Sequence, residues 1–376
     1  MSRPEGVAPA APAAGGALLL YGATGYTGEL IARRAVERGL RPILAGRSAP
    51  ALATLAAELG LPHRVFALDD AAAIDAGLEG VAAVLHAAGP FSRTSRPMVD
   101  GCLRRRVHYL DITGEGAVFG ALARRDAEAR AAGVTLLPGV GFDVVPTDGL
   151  AAHLARRLPG ATRLTLAFKA VGQPSRGTTL TALEGIHLGG MIRRGGKLTR
   201  VPAAWRTRDF DFGRGPVACM TIPWGDVWTA WHTTGIPDIE VYLAAPPALR
   251  AFSVVSRFIG PLLGSRPVQR ALAALVRSKL TGPDAAARAR GLSLLYGEVE
   301  HADGRRAAAR LTAPEGYAFT ALAAVECAER VLAGQAPAGF LTPSLAFGPD
   351  LALSIAGVER IDLTLADDAG PHRSGA

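Results

Sequence analysis

The seven residues Gly22-Ala-Thr-Gly25-Tyr-Thr-Gly28 constrain the fold of this chain more than any other feature. They follow directly on an apolar run, Ala17-Leu-Leu-Leu-Tyr21, and open the stretch Gly28 to Arg38, which reads as a helix with Ile31 and Ala35 facing inward and arginines outward. Strand, glycine loop and helix in that order make a cradle for a diphosphate. Glycine permits the sharp turn and the close approach of backbone to ligand, and the unpaired amides of the helix start face the anion. A glycine-rich turn without a ligand is the alternative, and the strand before and the helix after argue against it. Gly22, Thr24, Gly25, Tyr26, Thr27 and Gly28 are therefore expected to hold the diphosphate of a dinucleotide.

The chain beyond this loop keeps the same rhythm. Pro42 to Ala45, His63 to Leu68, Val81 to Ala88, Val107 to Ile112 and Val134 to Leu137 read as buried strands. Between them, Pro50 to Leu59, Pro97 to Arg106 and Ala117 to Ala132 read as helices. Continuous apolar strands separated by helices predict a mostly parallel sheet covered on both faces, an α/β doubly wound Rossmann domain over residues 16–158. From about residue 159 the pattern becomes that of an α+β substrate domain, 159–314. Thr162 to Ala170 alternates polar and apolar like a half-exposed antiparallel strand. Thr178 to Arg193 reads as a helix, Asp238 to Ala244 as a strand, and Gly291 to Glu300 with Arg305 to Thr312 as a hairpin around His301 to Gly304. Glu315 to Ala333 is an amphipathic helix, and residues 315–376 are expected to return to the first domain. Residues 1–15, rich in Ala, Pro and Gly, are expected to form a flexible tail.

The end of the second strand bears on which dinucleotide is bound. NAD-binding units carry an acidic residue about 20 residues beyond the loop to take the ribose 2′-hydroxyl. Here no acid occurs between Glu37 and Glu58, and the strand ends Ala45-Gly-Arg47-Ser48. A guanidinium and a hydroxyl suit a 2′-phosphate, so NADP(H) is the expected cofactor, with Arg47 and Ser48 holding that phosphate. Asp69 is a candidate on the adenine side or an exposed helix cap. Ala88, Gly89, Pro90 and Phe91 follow the fourth strand, where small residues let a cofactor lie against the backbone.

Composition narrows the function classes. The chain has 376 residues, 49% of them apolar and 20% charged, the balance of a globular protein. The net charge is +8, carried almost wholly by scattered arginines, which suits anionic partners and lacks the cationic blocks of a nucleic-acid tail. No nucleic-acid partner is expected. Three widely spaced cysteines, Cys102, Cys219 and Cys327, offer neither a disulfide framework nor zinc spacing and fit a cytoplasmic location; no metal is expected. Pro247 to Leu280 is helical, studded with arginine and broken by proline, so it does not read as a spanning segment; peripheral membrane contact is one use for it.

Five segments together carry a family resemblance: Tyr21-Gly-Ala-Thr-Gly-Tyr-Thr-Gly28, Leu44-Ala-Gly-Arg47, Leu85-His-Ala-Ala-Gly-Pro-Phe91, His108-Tyr-Leu-Asp-Ile-Thr-Gly-Glu115 and Pro138-Gly-Val-Gly-Phe-Asp-Val-Val-Pro-Thr-Asp148. The set resembles the saccharopine dehydrogenase-like oxidoreductases, and within them the short branch that includes trans-acting enoyl reductases; Gly339-Phe-Leu-Thr-Pro-Ser-Leu-Ala-Phe-Gly348 fits the same branch. The resemblance is strong over about residues 17–195. It implies hydride transfer from NADPH to an activated double bond, an enoyl thioester in that branch, with a small-molecule or carrier-bound acyl substrate; the basic surface separately suits an acidic carrier protein as partner. The lysine-pathway branch implies an imine formed from an amino acid instead, but a residue set to grip several substrate carboxylates is missing here. A non-catalytic NADPH-binding or lipid-surface protein is the third reading.

Candidate catalytic groups lie at the strand ends and in the second domain: Asp111, Asp143 and His187, each weighed against a structural role. His86, inside a strand, reads as a core histidine. Thr178 or Thr179 caps a helix whose amino end could face a substrate oxygen. Arg193, Arg194, Lys197, Arg200, Arg206 and Arg208 form a basic stretch, either solvated or a dock for a carrier. Trp205, Phe210, Phe212, Trp224, Trp228 and Trp231 line either the core or an acyl pocket. No tyrosine is followed four residues later by lysine, so the acid pair of short-chain dehydrogenases is missing.

Overall fold

The computed structural model describes residues 16–170, 189–279 and 282–364. Thr178, Thr179 and His187 lie outside them. The chain divides into two compact units. The first holds the described residues up to Thr113, with Ala117–Val140 and Ala324–Leu341; the second holds Gly114–Gly116, the described residues from Gly141 to Ala323, and those from Thr342 on.

The first unit is built on six strands in chain order: β1 (Ala17–Tyr21), β2 (Ile43–Gly46), β3 (His63–Val65), β4 (Val81–His86), β5 (His108–Asp111) and β6 (Thr135–Leu137). They align in the order β3-β2-β1-β4-β5-β6, every pairing parallel, and the two-residue strand Gly339–Phe340 adds beside β6. The helices α1 (Tyr26–Glu37), α2 (Ala49–Leu59), α3 (Ala71–Gly77), α4 (Phe91–Arg105), α5 (Gly116–Ala123) and α6 (Asp126–Ala132) alternate with them. Burial explains why the strands form where the apolar runs lie: every residue of β4 is buried, and Leu19, Leu20 and Leu44 are wholly enclosed. This is the doubly wound arrangement, and strand order reverses between β1 and β4, where such sheets open a crevice at the strands' carboxyl ends.

Two helices depart from expectation. α4 begins at Phe91, so Pro97 lies inside it and not at its start. The expected single helix 117–132 is two, because Arg125 caps α6 with a non-helical backbone while its guanidinium reaches Glu128 at 2.8 Å and also Asp100 on α4.

The second unit centres on a mixed sheet: β7 (Arg163–Ala170), β8 (Gly190–Arg194), β9 (Lys197–Val201), β10 (Thr207–Asp211), β11 (Pro216–Thr221), β12 (Asp238–Ala244), β13 (Leu292–Glu300) and β14 (Arg306–Pro314). The order is β10-β11-β12-β7-β13-β14, with Glu359–Leu363 on the β14 edge and the β8–β9 hairpin attached to β12. β7 was expected to be purely antiparallel; it is antiparallel to β13 but parallel to β12. The residues from Gly190 to Arg193, expected to end a helix, form β8. Gly195 and Gly196, with φ of 54° and 76°, supply the tight two-residue turn into β9. Helix α7 (Val145–Arg157) was not foreseen. It packs on β13 at Gly297, where a β-carbon would meet Leu154 and Leu150 within 2.9 Å. The unit also contains α8 (Asp226–Thr234), α9 (Pro247–Leu263) and α10 (Arg266–Lys279). α7 belongs to this unit, so the leading stretch of the first unit runs to Val140, against an expected 158, and the unit is completed by Ala324–Leu341. The helix Gly316–Leu332 passes from one unit to the other at Ala323/Ala324.

Candidate functional site

The glycine loop sits at the crevice. Gly22, with φ +85°, leaves β1 against the β4 loop: a β-carbon on it would lie 2.8 Å from Ala88. Gly22 and Ala23 amides bond to the Ala45 carbonyl at 2.8 and 3.2 Å, and the Ala87 amide bonds to Tyr21 at 2.8 Å, so three strand ends are tied together. Gly28 is wedged beneath: its β-carbon would meet the Gly22 carbonyl oxygen at 2.1 Å. Gly25 is the N-cap of α1 and no side chain caps that helix. Thr24 and Gly25 are exposed, Tyr26 and Thr27 half-buried. Backbone this close, with glycine where a side chain would intrude, is the shape that accommodates a diphosphate at a helix amino end.

Arg47 and Ser48 leave β2 and are exposed, as is Asp69 beyond β3. Both Arg47 and Asp69 act electrostatically on the Tyr21 phenol, which donates to the Phe66 carbonyl at 3.0 Å; burial raises that phenol above its ordinary range, Arg47 opposes and Asp69 adds. Arg47 and Asp69 thus converge on one edge of the crevice. On the β4 side, Gly89 is exposed, Pro90 caps α4 and Phe91 packs edge-on to His86 at 5.4 Å.

His86 is a core histidine with one nitrogen engaged. Nε2 lies 3.0 Å from Thr94 Oγ1, which donates to the Ala88 and Pro90 carbonyls at 2.7 and 3.1 Å, while Nδ1 is buried without a partner. Burial pushes the ring down to about 3, so it is neutral, and Nε2 donates to the threonine that pins the Ala88–Pro90 loop.

Asp111 is fully enclosed. Its carboxylate accepts from Tyr109 Oη at 2.8 Å and from the amides of Thr113 and Gly139, both at 3.0 Å, joining the ends of β5 and β6. Such a set holds two loops in register.

Asp143 belongs to the second unit. Its carbonyl accepts from Trp224 Nε1 at 3.0 Å, and its Oδ2 is 2.5 Å from where a β-carbon on Gly114 would stand. Desolvation pushes its carboxyl up to about 7, the value of a group that both holds and releases a proton near neutrality. Phe142, Phe168, Phe319 and Trp224 stack around this segment at 4.9–6.3 Å between ring centres. Two further acids are buried in this unit, and Asp226 feels the charge of both Asp148 and Asp143. Asp148 is buried and accepts from Thr233 Oγ1 and from the Ser344 amide at 2.8 Å. Asp226 stands 2.7 Å from Thr147 Oγ1, leaves Oδ2 buried without a partner, and is pushed well above the usual carboxylate range by burial. Neither acid was singled out from the sequence. An Asp in an apolar stretch is the only signal they give.

The basic stretch divides in the fold. Arg193 is a buried structural residue: it donates to Val227 O at 3.0 Å and Gly196 O at 2.7 Å and lies over the Trp231 ring. Arg206 and Arg208 pair with Glu240 and Glu298, both at 2.9 Å, on the wall of a polar cavity of about 370 Å³. Arg194, Lys197 and Arg200 are exposed. The aromatic set divides too. Phe210 and Phe212 are core, packed with Tyr242 and Tyr296, whereas Trp205 is exposed. Among the described residues no group of acidic, histidine or cysteine side chains is arranged to hold a metal.

Comparison with known proteins agrees with this geometry. Residues 18–137 match the family model of the saccharopine dehydrogenase NADP binding domain. Curated relatives include a trans-acting enoyl reductase of Mycobacterium leprae, 33% identical over 150 residues, covering 38% of this chain and 36% of that one. Another, from Mycobacterium tuberculosis, is 34% identical over 151 residues, covering 37% and 35%. The matched stretch is thus little more than a third of those relatives' length. Among solved structures, apo saccharopine dehydrogenase (L-Glu forming) of Saccharomyces cerevisiae superposes with a TM-score of 0.65 over 93% of this chain and 100% of that one, at 14% identity, a likeness of fold. The matched residues run from β1 to β6 and include the glycine loop and Arg47.

Proposed function

We propose that this protein is an NADPH-dependent oxidoreductase that reduces an activated carbon–carbon double bond, with enoyl thioesters as the substrate class. The observation that carries the reading is the glycine loop, closed so tightly that Gly22 and Gly28 have no room for a β-carbon, followed by Arg47 with no acid on β2 to repel a 2′-phosphate. The names of the curated relatives, trans-acting enoyl reductases, support an enoyl substrate.

The residues divide the work. Gly22, Thr24, Gly25, Tyr26, Thr27 and Gly28 hold the diphosphate; Arg47 and Ser48 hold the 2′-phosphate, with Asp69 on the adenine side. Ala88, Gly89, Pro90 and Phe91, fixed through Thr94 and His86, line the cofactor's path, and Asp111 keeps the β5 and β6 ends in place. NADPH, when bound, supplies a hydride. Asp143, a candidate from the sequence whose carboxyl burial raises to about 7, is the residue to test as proton donor. Exposed Arg194, Lys197 and Arg200 suit the acidic carrier protein that would present the acyl group. Three buried free cysteines accord with a cytoplasmic setting.

The test is loss of reduced-nicotinamide absorbance with a carrier-bound or coenzyme A-bound enoyl substrate. Turnover with the enoyl thioester and none with an amine plus a keto acid is expected; the reverse overturns the substrate class.

A further inference from the structure

Helices α9 and α10 carry a surface that the proposed reaction does not use. From Pro247 to Lys279 the sequence has Arg250, Arg257, Arg266, Arg270, Arg277 and Lys279 and not one aspartate or glutamate. The same helices expose large apolar side chains. Leu249, Phe252 and Val255, spaced three apart along α9, are 40%, 42% and 51% exposed; Val254 beside them and Leu275 on α10 are 42% and 53% exposed. Residues at that spacing share one helix face. A soluble surface scatters such side chains singly; here Leu249, Phe252 and Val255 make one stripe on a segment whose only charges are positive. Arg266 and Arg270 are exposed, and Arg257 donates to the Ala203 and Ala204 carbonyls at 2.8 Å, which anchors α9 to the body of the unit.

We propose that α9 and α10 form a docking surface for an anionic lipid bilayer, lying in the plane of the headgroups with Leu249, Phe252 and Val255 in the acyl boundary and Arg266 and Arg270 on lipid phosphates. Charge decides the occupant's sign, because a segment of this length with only cations is attracted to a negative surface and nothing within the segment offsets it. The apolar stripe decides its nature. An acidic protein needs the cations alone, whereas hydrocarbon removes Phe252 and its neighbours from water. Neither helix is long and apolar enough to cross a membrane, and the proposal requires only that they lie on it.

The experiment is flotation of the full chain with vesicles of phosphatidylcholine alone and of phosphatidylcholine mixed with phosphatidylglycerol. Flotation only with the mixed vesicles is expected. Phe252→Ser with Val255→Ser should weaken partitioning by about tenfold or more through lost apolar burial. Arg266→Glu with Arg270→Glu should weaken it by at least about twenty-fivefold, at about fivefold or more for each cation. Both double variants alter exposed positions outside the cofactor site, so unchanged NADPH affinity reports that they fold. No flotation, equal flotation with both vesicle types, or equal flotation of wild type and both double variants overturns the proposal. Capture of an acidic acyl carrier protein through this face, abolished by the same substitutions, while vesicles leave the chain behind, also overturns it and makes the surface a protein dock.

Discussion

Gly28 has no space for a side chain: the nearest obstacle, the Gly22 carbonyl oxygen at 2.1 Å from an ideal β-carbon, is backbone and cannot swing aside. Gly28→Ala must therefore push the first turn of α1 away from β1. A loss of about 1–3 kcal/mol in stability, as for other overpacked sites, and at least tenfold weaker NADPH binding are expected by thermal melting and titration calorimetry. Gly25 meets the same oxygen at 3.3 Å and should tolerate alanine better. Asp143 makes a pH-dependent prediction. Its carboxyl titrates at about 7 in the fold against an ordinary 3.8, so between those values the native chain holds a proton that the unfolded chain releases. Stability then falls as pH rises through that window, and the acid form needed for proton donation is lost above about 7. Asp143→Asn should flatten both profiles and lower kcat by about 10²–10⁴; an unaltered pH–rate curve would show that the proton comes from elsewhere.

Whether an element could be read from the sequence depended on how local its cause is. β1, β4 and β12 lie where uninterrupted or alternating apolar runs placed them, because burial of those side chains is what forms them. The glycine loop was legible for the same reason: its geometry is set within seven residues. β8 was misread as helix because Met191-Ile192 suits either state, and the deciding signal was Gly195-Gly196, whose positive φ values turn the chain back on itself. α7 was hidden in a segment noticed for its resemblance alone. Asp226 could not be seen as a neighbour of Asp148 and Asp143, since α8 and α7 meet only in the folded unit. Arg193 belongs with these long-range cases. As a charged residue beside Arg194 it read as surface, yet the hairpin buries it on Trp231 and two carbonyls. Arg193→Ala should cost about 3 kcal/mol in urea unfolding, two charge-assisted bonds' worth, whereas Arg194→Ala, at an exposed position, should be nearly silent.

At the scale of the whole molecule, the first unit is not a continuous stretch of chain. Gly339–Phe340 completes its sheet beside β6, the Phe340 amide bonds to Asp126 at 2.8 Å, and Arg38 at the end of α1 pairs with Glu329 at 2.6 Å. A fragment ending at Val140 lacks all three and should fail to bind NADPH, while the same fragment supplied with residues 324–341 through a flexible linker should recover binding; recovery by the short fragment alone would mean that the returning segment is dispensable. The central claim is that the glycine loop and Arg47 make this an NADPH site. Titration calorimetry of the wild-type chain and Arg47→Ala with NADPH and with NADH tests it most directly. Wild type should prefer NADPH, and Arg47→Ala should lose at least about tenfold of that preference with NADH affinity little changed; no heat with either cofactor, or an identical preference in both proteins, would rule out this assignment.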